Sequence, residues 1–284
     1  MLHGLNRLPS LIFALTLVVA YALGVQAQKN AVIIAEASVT KKAQNIALNL
    51  VLAGACGAAL GAGVLFARRR QRRPVRCESE LIHALGSPLL AARPLTPEAL
   101  ERLCRQLLEH WFSPKRRLLA ITSPDPGDGR SRLAAELARG FAELGVSTLL
   151  IDADLRAPAQ HRIFCLPNRW GLAGFLGGGT PKPAAITPKL SVLLAGSSRA
   201  DPLELLSRPR LGAMLEEAAR RFEVVLIDTP AAARGPDFEI FAAHAGGALV
   251  LARKDAADAA SLERLNAALK RCSTRLVATV LKSS

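Results

Sequence analysis

A glycine-rich turn between an apolar segment and a helix-like segment carries the strongest chemical signal in the chain. The turn, 123–131, reads Ser-Pro-Asp-Pro-Gly-Asp-Gly-Arg-Ser and follows the apolar run 118–122. In such a turn the backbone N–H groups converge on one point and the dipole of the following helix adds positive potential, so the turn binds phosphate groups. The residues expected to contact such a group are Gly127, Asp128, Gly129, Arg130, Ser131 and Arg132.

The turn is similar to a phosphate-binding P-loop, whose pattern ends in Gly-Lys-Ser/Thr. Gly129 and Ser131 fit that pattern, but the lysine position holds Arg130 and the position of the opening glycine holds Pro124. Lysine presents a compact ammonium group, whereas arginine presents a longer planar fork, so the exchange is not conservative. Phosphate affinity can survive this exchange, but we expect the rate of any reaction at the bound phosphate to fall.

Three aspartates stand where apolar segments end. Asp152 and Asp154 close the segment 148–154, and Asp228 closes the run 224–228. An aspartate placed opposite a P-loop can hold Mg²⁺ directly or through water, and Ser131 would supply a hydroxyl ligand. We therefore predict a metal site of Ser131, Asp152 and Asp228. A second carboxylate could orient or deprotonate an attacking hydroxyl group, so the predicted catalytic residues are Arg130, Asp152 and Asp154. The alternative is that each aspartate only caps the turn that follows it.

The segments around these residues alternate between apolar strands and amphipathic helices. Fully apolar strands between helices predict an α/β fold with a P-loop NTPase-like, mainly parallel sheet that is covered by helices on both faces. Ligands of such sheets bind at the carboxyl ends of the strands, where the three aspartates lie. The predicted strands are 118–122, 148–152, 191–195, 224–228, 247–252 and 275–281, and the predicted helices are 97–111, 131–144, 203–221, 237–243 and 256–271.

The N-terminal part combines apolar runs with a basic cluster. The chain of 284 residues is 50% hydrophobic yet carries a formal charge of +14. We predict a membrane anchor over 1–67, with transmembrane helices at about 11–25 and 46–67 and a short outer loop between them. The first run could instead be a signal peptide, and the second a buried soluble helix. Six arginines within nine residues follow the second run: Arg68, Arg69, Arg70, Arg72, Arg73 and Arg76.

The arginine cluster sets the predicted topology. Because positive charge stays on the inner side, we expect a multi-pass protein of the bacterial inner (plasma) membrane whose C-terminal domain is cytoplasmic. The predicted domains are the anchor (1–67), a basic juxtamembrane segment with a linker helix (68–116) and a nucleotide-binding domain (117–284). Nucleic acid is not an expected partner, since the cluster adjoins the bilayer and has no interleaved aromatic residues. The five cysteines show no metal-ligand spacing and read as reduced thiols.

Four segments of the chain resemble the bacterial tyrosine kinase family. They are 123–131, then Leu-Leu-Ile-Asp-Ala-Asp-Leu-Arg at 149–156, Asp-Pro-Leu-Glu-Leu-Leu at 201–206 and Val-Leu-Ile-Asp-Thr-Pro at 225–230. The resemblance covers Arg117 to the C-terminus and implies Mg-ATP binding by the P-loop, by Asp152 and Asp154, and by Asp228. The membrane part resembles the end of a polysaccharide co-polymerase, or chain-length determinant. Together these imply work in capsular or exopolysaccharide synthesis, with polymerase or export proteins as partners and with self-association.

The sequence also departs from that family. Its one tyrosine, Tyr21, lies in the first apolar run, so we expect no phosphorylation of clustered C-terminal tyrosines. In the family's Glu-x-x-Arg-x-x-Arg oligomerisation helix, Arg102 and Arg105 fit, but Ala99 takes the glutamate position. Three hypotheses stay open: an ATP-binding kinase or ATPase, a catalytically inactive pseudokinase adaptor, and a partitioning-type P-loop ATPase. The last has an extra early lysine, where this chain has Asp125.

Overall fold

The computed structural model divides the chain into two compact units, Met1–Gln71 and Arg72–Ser284. The structure describes residues 15–26, 51–62, 89–92, 96–180, 182–198, 200–254 and 257–282.

The N-terminal unit contains two described helices, α1 (15–26) and α2 (51–62), and the residues of both are exposed. None of the helices in the described ranges combines the length and the apolar character that a membrane crossing requires. Parts of the predicted spans, at 11–14, 46–50 and 63–67, lie outside the described residues. The two spans therefore stay predictions.

The second unit is built on one eight-stranded sheet with the order β1-β8-β7-β2-β6-β3-β5-β4. All neighbouring strands are parallel except β4 and β5, which are antiparallel. This confirms the predicted mainly parallel α/β fold. The strands are β1 (Leu89–Ala92), β2 (Leu118–Thr122), β3 (Thr148–Asp152), β4 (Ala184–Thr187), β5 (Leu190–Leu193), β6 (Val224–Asp228), β7 (Gly247–Arg253) and β8 (Arg275–Lys282).

Helices cover both faces of the sheet. The helices of this unit are α3 (Pro97–His110), α4 (Arg130–Glu143), α5 (Gln160–Ile163), α6 (Leu172–Leu176), α7 (Pro202–Leu206), α8 (Arg210–Arg221), α9 (Asp237–Ala245) and α10 (Ala259–Arg271), with a 3₁₀ turn at Ala232–Arg234. Side chains alternate between the faces along each strand. Leu226 of β6 belongs to the core under α3 and α4, whereas Val225 and Ile227 belong to the core under α7, α8 and α9.

Three neighbouring strands place the predicted site residues at one edge of the sheet. Asp152 ends β3 and Asp228 ends β6, and the two aspartates are partners in the parallel register. Ile121 of β2 is the partner of Asp228 on its other side. The chain then leaves β2 through the turn and enters α4 directly after Gly129. The turn and both aspartates therefore meet at the carboxyl ends of the strands.

Local chemistry accounts for the differences from the predicted elements. The helix predicted at 203–221 is two helices, α7 and α8, because Pro209 lacks a backbone N–H and disfavours helical geometry in the residue before it. Two short strands, β1 and β4, were not predicted; β4 alternates between half-buried and exposed residues and lacks the continuous apolar run of the central strands. The predicted helix at 256–271 begins later, at Ala259.

Candidate functional site

The glycine-rich turn adopts the backbone that an anion-binding loop requires. Gly127 and Gly129 have φ angles of 87° and 93°, which residues with a Cβ atom rarely adopt. Inside the turn, the Ser123 hydroxyl donates a hydrogen bond to the Asp125 carbonyl at 2.9 Å. The turn borders a cavity of about 290 Å³. Asp154, Ala157, Arg162 and Arg234 also line this cavity.

Arg130 turns its guanidinium group toward the aspartates. Its Nε donates to Asp228 Oδ1 at 3.0 Å and its Nη2 donates to Asp154 Oδ2 at 2.9 Å. Its Nη1 donates to the Ser123 hydroxyl at 3.3 Å. Arg130 is 8% exposed, Asp154 is 2% exposed and Asp228 is fully buried. The cation at the P-loop lysine position is therefore held by carboxylates, in a contact shielded from water.

Asp152 and Asp228 share an environment that disfavours their negative charges. Burial is the main cause that raises the pKa of Asp152 to about 7, and the neighbouring Asp228 raises it further. Burial also raises the pKa of Asp228, although Arg130 acts against that shift. One oxygen of Asp152, Oδ2, accepts backbone hydrogen bonds from Ala159 at 3.1 Å and Gln160 at 2.9 Å. Its other oxygen, Oδ1, is buried and has no hydrogen-bond partner among the described residues.

Gln160 connects the aspartates to the P-loop. Its side-chain amide donates to Asp228 Oδ2 at 2.7 Å and to the Ser131 carbonyl at 2.9 Å. Ser131 lies close enough to Asp228 to act, with Arg130 and Gln160, against the rise in its pKa. Both oxygens of Asp228 thus accept hydrogen bonds, one from Arg130 and one from Gln160.

The chemistry of these donors fits a hard cation such as Mg²⁺. A positive ion would stabilise the negative charge of a buried carboxylate oxygen that has no partner and lies next to a second buried carboxylate. Ser131, Asp152 and Asp228 would hold that ion. No cluster of three His, Cys, Asp or Glu side chains suited to a metal occurs within the described ranges. Mg²⁺ does not need one, since it is commonly bound by one or two carboxylates together with water and substrate phosphates.

The remaining predicted residues lie at the rim of the site. Asp128 is buried, and burial raises its pKa to about 6. Its Oδ2 accepts from the Asp125 N–H at 3.3 Å, and its Oδ1 lies 3.8 Å from Arg253 Nε. Arg132 lines the cavity, but its side chain is 79% exposed and pairs with Glu136 on the same helix.

Sequence reasoning missed Gln160 and Arg234 as site residues. Gln160 follows the Asp152-Ala-Asp154 segment by a short loop, and only the three-dimensional path of that loop returns its amide to Asp228. Arg234 Nη1 lies 3.7 Å from Asp154 Oδ2, after a turn that follows β6. An arginine just beyond a strand-terminal aspartate is a weak signal that could have pointed to it.

Comparisons with known proteins identify relatives of this chain. No protein-family model matches the chain. Tyrosine-protein kinase YwqD of Bacillus subtilis is 33% identical over 165 residues, which are 57% of this chain and 70% of that protein. Tyrosine-protein kinase Ptk of Acinetobacter johnsonii is 34% identical over 173 residues, which are 58% of this chain but only 24% of that larger protein.

Solved structures show the same fold. The chimerical protein CapA2B2 matches with a TM-score of 0.67 at 25% identity, covering 72% of this chain and 98% of its own. The kinase domain of Escherichia coli tyrosine kinase ETK matches with a TM-score of 0.69 at 22% identity, covering 74% and 94%. The sequence match to YwqD covers more than two thirds of that protein. The chain therefore belongs to the bacterial tyrosine-protein kinase family.

Proposed function

We propose that this chain is a membrane-anchored, Mg-ATP-binding member of its family, with weak phosphoryl transfer, that regulates bacterial polysaccharide polymerisation, chain length or export. The observation that carries this proposal is the buried contact of Arg130 with Asp228 and Asp154, beside the unpartnered Asp152 oxygen. The unpartnered oxygen favours binding of a cation with its nucleotide. The ion pairs of Arg130 favour slow chemistry.

Each residue has a defined part in the proposed mechanism. The N–H groups of the turn and of the first residues of α4 bind phosphate oxygens, with Gly127 and Gly129 allowing their close approach. Bound Mg²⁺ would neutralise charge that develops on the phosphates. Asp154 can orient or deprotonate an acceptor hydroxyl only when Arg130 and Arg234 leave it free, because a carboxylate held by arginine is a poor base. Because Arg130 contacts the aspartates and not the phosphates, it would weaken both the stabilisation of phosphate charge and the activation of the acceptor hydroxyl by Asp154.

A pseudokinase adaptor is the second candidate, and the same contact favours it. Arg130 pairs with Asp228 and Asp154, and Arg234 lies 3.7 Å from Asp154, so two arginines supply positive charge to these acids without Mg²⁺. In that case the domain would regulate a partner by contact, and its nucleotide state would alter only its shape or stability. The partitioning-type ATPase has no such support from the site.

The apolar surface of the N-terminal unit supports the membrane part of the proposal. Within the described ranges, every exposed large hydrophobic residue except Trp170 lies in α1 or α2. Such a concentration of apolar surface marks a lipid or protein contact. Alkaline washing of membranes from cells that express the full chain tests it: the chain stays in the pellet if it is inserted and enters the supernatant if it is only attached.

Calorimetric titration of the full-length chain in detergent with Mg-ATP and Mg-ADP tests the nucleotide site. We expect saturable binding that is weakened in D228A, and higher turnover in R130K, where a lysine returns to the P-loop. Binding without turnover in both the wild type and R130K would favour the adaptor. If the wild type binds no nucleotide, both the ATP-binding kinase and the partitioning-type ATPase are contradicted.

A further inference from the structure

A lysine from the other end of the domain lies over the P-loop. Lys282, at the end of β8, places its Nζ 3.1 Å from the position that a Cβ atom on Gly129 would occupy. Its Cδ and Cε lie 3.9 Å from the same position. Gly129 is the residue directly before Arg130, so an ammonium group lies next to the P-loop position that lacks a lysine.

The sheet fixes where this lysine stands. Lys282 is the register partner of Arg253 at the end of β7, and its carbonyl accepts a hydrogen bond from the Lys254 N–H at 2.8 Å. Because β7 and β8 run parallel to β2, their carboxyl ends reach the edge of the sheet at which the turn begins. The position of Lys282 thus follows from the fold, and its long side chain needs only to bend toward Gly129.

The Lys282 ammonium group lacks a carboxylate within the described ranges. The buried acid of the turn, Asp128, lies 3.8 Å from Arg253 and accepts a hydrogen bond from the Asp125 N–H. Lys282 is half-buried, and a phosphate group bound at the turn would supply a counter-charge for its ammonium group. Lysine binds phosphate well as a compact point charge.

We propose that Lys282 is the phosphate-binding lysine of this site and takes the part that position 130 has lost. Arg130 is left to balance the aspartates, while the cation that meets the nucleotide comes from β8. This inference rests on the proposed function of nucleotide binding. It assigns the two functions of a P-loop lysine, site charge balance and phosphate contact, to two residues far apart in the sequence.

Calorimetry on the full-length chain tests the assignment with four variants. K282M removes the ammonium group, and K189M makes the same change at an exposed lysine before β5, which is separated from β8 by four strands. R130K restores a lysine to the turn, and R130K/K282M combines the two changes. The probes are Mg-ATP, AMP and inorganic pyrophosphate, and thermal unfolding is recorded for each variant.

We expect K282M to weaken Mg-ATP binding by about ten- to a hundredfold, the value of a hydrogen bond between charged groups. The effect on AMP should be smaller, and K189M should stay within about twofold of the wild type. R130K/K282M should regain much of the lost affinity, because the turn then carries its own lysine. A purely structural role of Lys282 would lower the unfolding temperature without this pattern.

Two outcomes would overturn the inference. In one, K282M binds Mg-ATP as tightly as K189M does. In the other, the wild type binds neither nucleotide nor pyrophosphate, which would also end the proposed function. If the wild type binds pyrophosphate through Lys282 but no nucleotide, the lysine assignment stands and the ATP-binding function fails.

Discussion

Replacing Arg130 with methionine should destabilise the domain because it removes the counter-charge of the buried Asp228 and one of the two arginines beside Asp154. Arg130 bonds Asp228 at 3.0 Å and Asp154 at 2.9 Å, and neither acid has more than 2% of its surface exposed. Breaking a buried ion pair by removing one partner costs about 3–5 kcal/mol. For a domain of this size class, that loss lowers the melting temperature by about 6–20 °C.

Protonation sets an upper limit on this loss and makes it depend on pH. A carboxylate that has lost its partner can take up a proton instead of staying charged. For a carboxyl group with an ordinary pKa of about 4, this protonation costs about 5 kcal/mol at pH 8 but only about 1.4 kcal/mol at pH 5. The difference in stability between R130M and the wild type should therefore narrow as the pH is lowered. Mg²⁺ should narrow it as well, because the metal replaces part of the missing positive charge.

Scanning calorimetry of the full chain, in chelator at pH 8 and pH 5, measures this difference. R132M is the matched control, since Arg132 is 79% exposed and its ion pair with Glu136 is on the surface. Such a pair contributes up to about 1 kcal/mol, so R132M should lose less than about 4 °C. If R130M and R132M melt together at pH 8, Arg130 does not balance the charges of Asp154 and Asp228, and the reasoning about its buried ion pairs is refuted.

Three further predictions concern single groups. Burial raises the pKa of Asp152 to about 7, so between about pH 4 and 7 the folded state holds a proton that the unfolded state releases. The free energy of unfolding in chelator should therefore fall as the pH rises through this range. Urea unfolding measures that slope, and excess Mg²⁺ should flatten it. Burial raises the pKa of the Cys104 thiol to about 12, so native protein should be alkylated at exposed Cys165 and not at Cys104, which mass spectrometry reads directly. In Gly171→Ala the new Cβ would collide with the Leu194 carbonyl oxygen, and urea unfolding should show a loss of about 1–3 kcal/mol, whereas equal stability would mean that the backbone yields there.

The central strands and the convergence of the acids could be predicted from the sequence for one reason. Fully buried parallel strands are continuous apolar runs, and their carboxyl ends share one edge, so Asp152 and Asp228 had to lie near the turn. β1 and β4 could not be predicted in this way, because a short strand at the edge of a sheet needs no such run. The break before Pro209 was readable in principle but was masked by amphipathic residues on both sides.

The direction of the Arg130 side chain could not be read from the motif. The pattern indicates a residue that contacts phosphate, whereas the structure aims its guanidinium group at two carboxylates that burial has left in need of positive charge. Lys282 gave no signal at all, since a lysine that ends a strand is normally a solvated residue. Its position over Gly129 depends on which strands are neighbours, and strand order is not visible in the apolar pattern.

The pairing of β1 with β8 has a consequence for the order in which the sheet opens. Leu89 and Thr279 are partners although 190 residues separate them in the chain. While the rest of the sheet stays folded, β1 is held only through its four residues and its one neighbouring strand, so its detachment breaks few hydrogen bonds. We therefore expect β1 to detach and return while the other strands stay folded, as the least stable cooperative part of the sheet. In hydrogen exchange the β8 amides that face β1 should exchange early and those that face β7 late, so that the strand ending in Lys282 is protected on one side more than on the other.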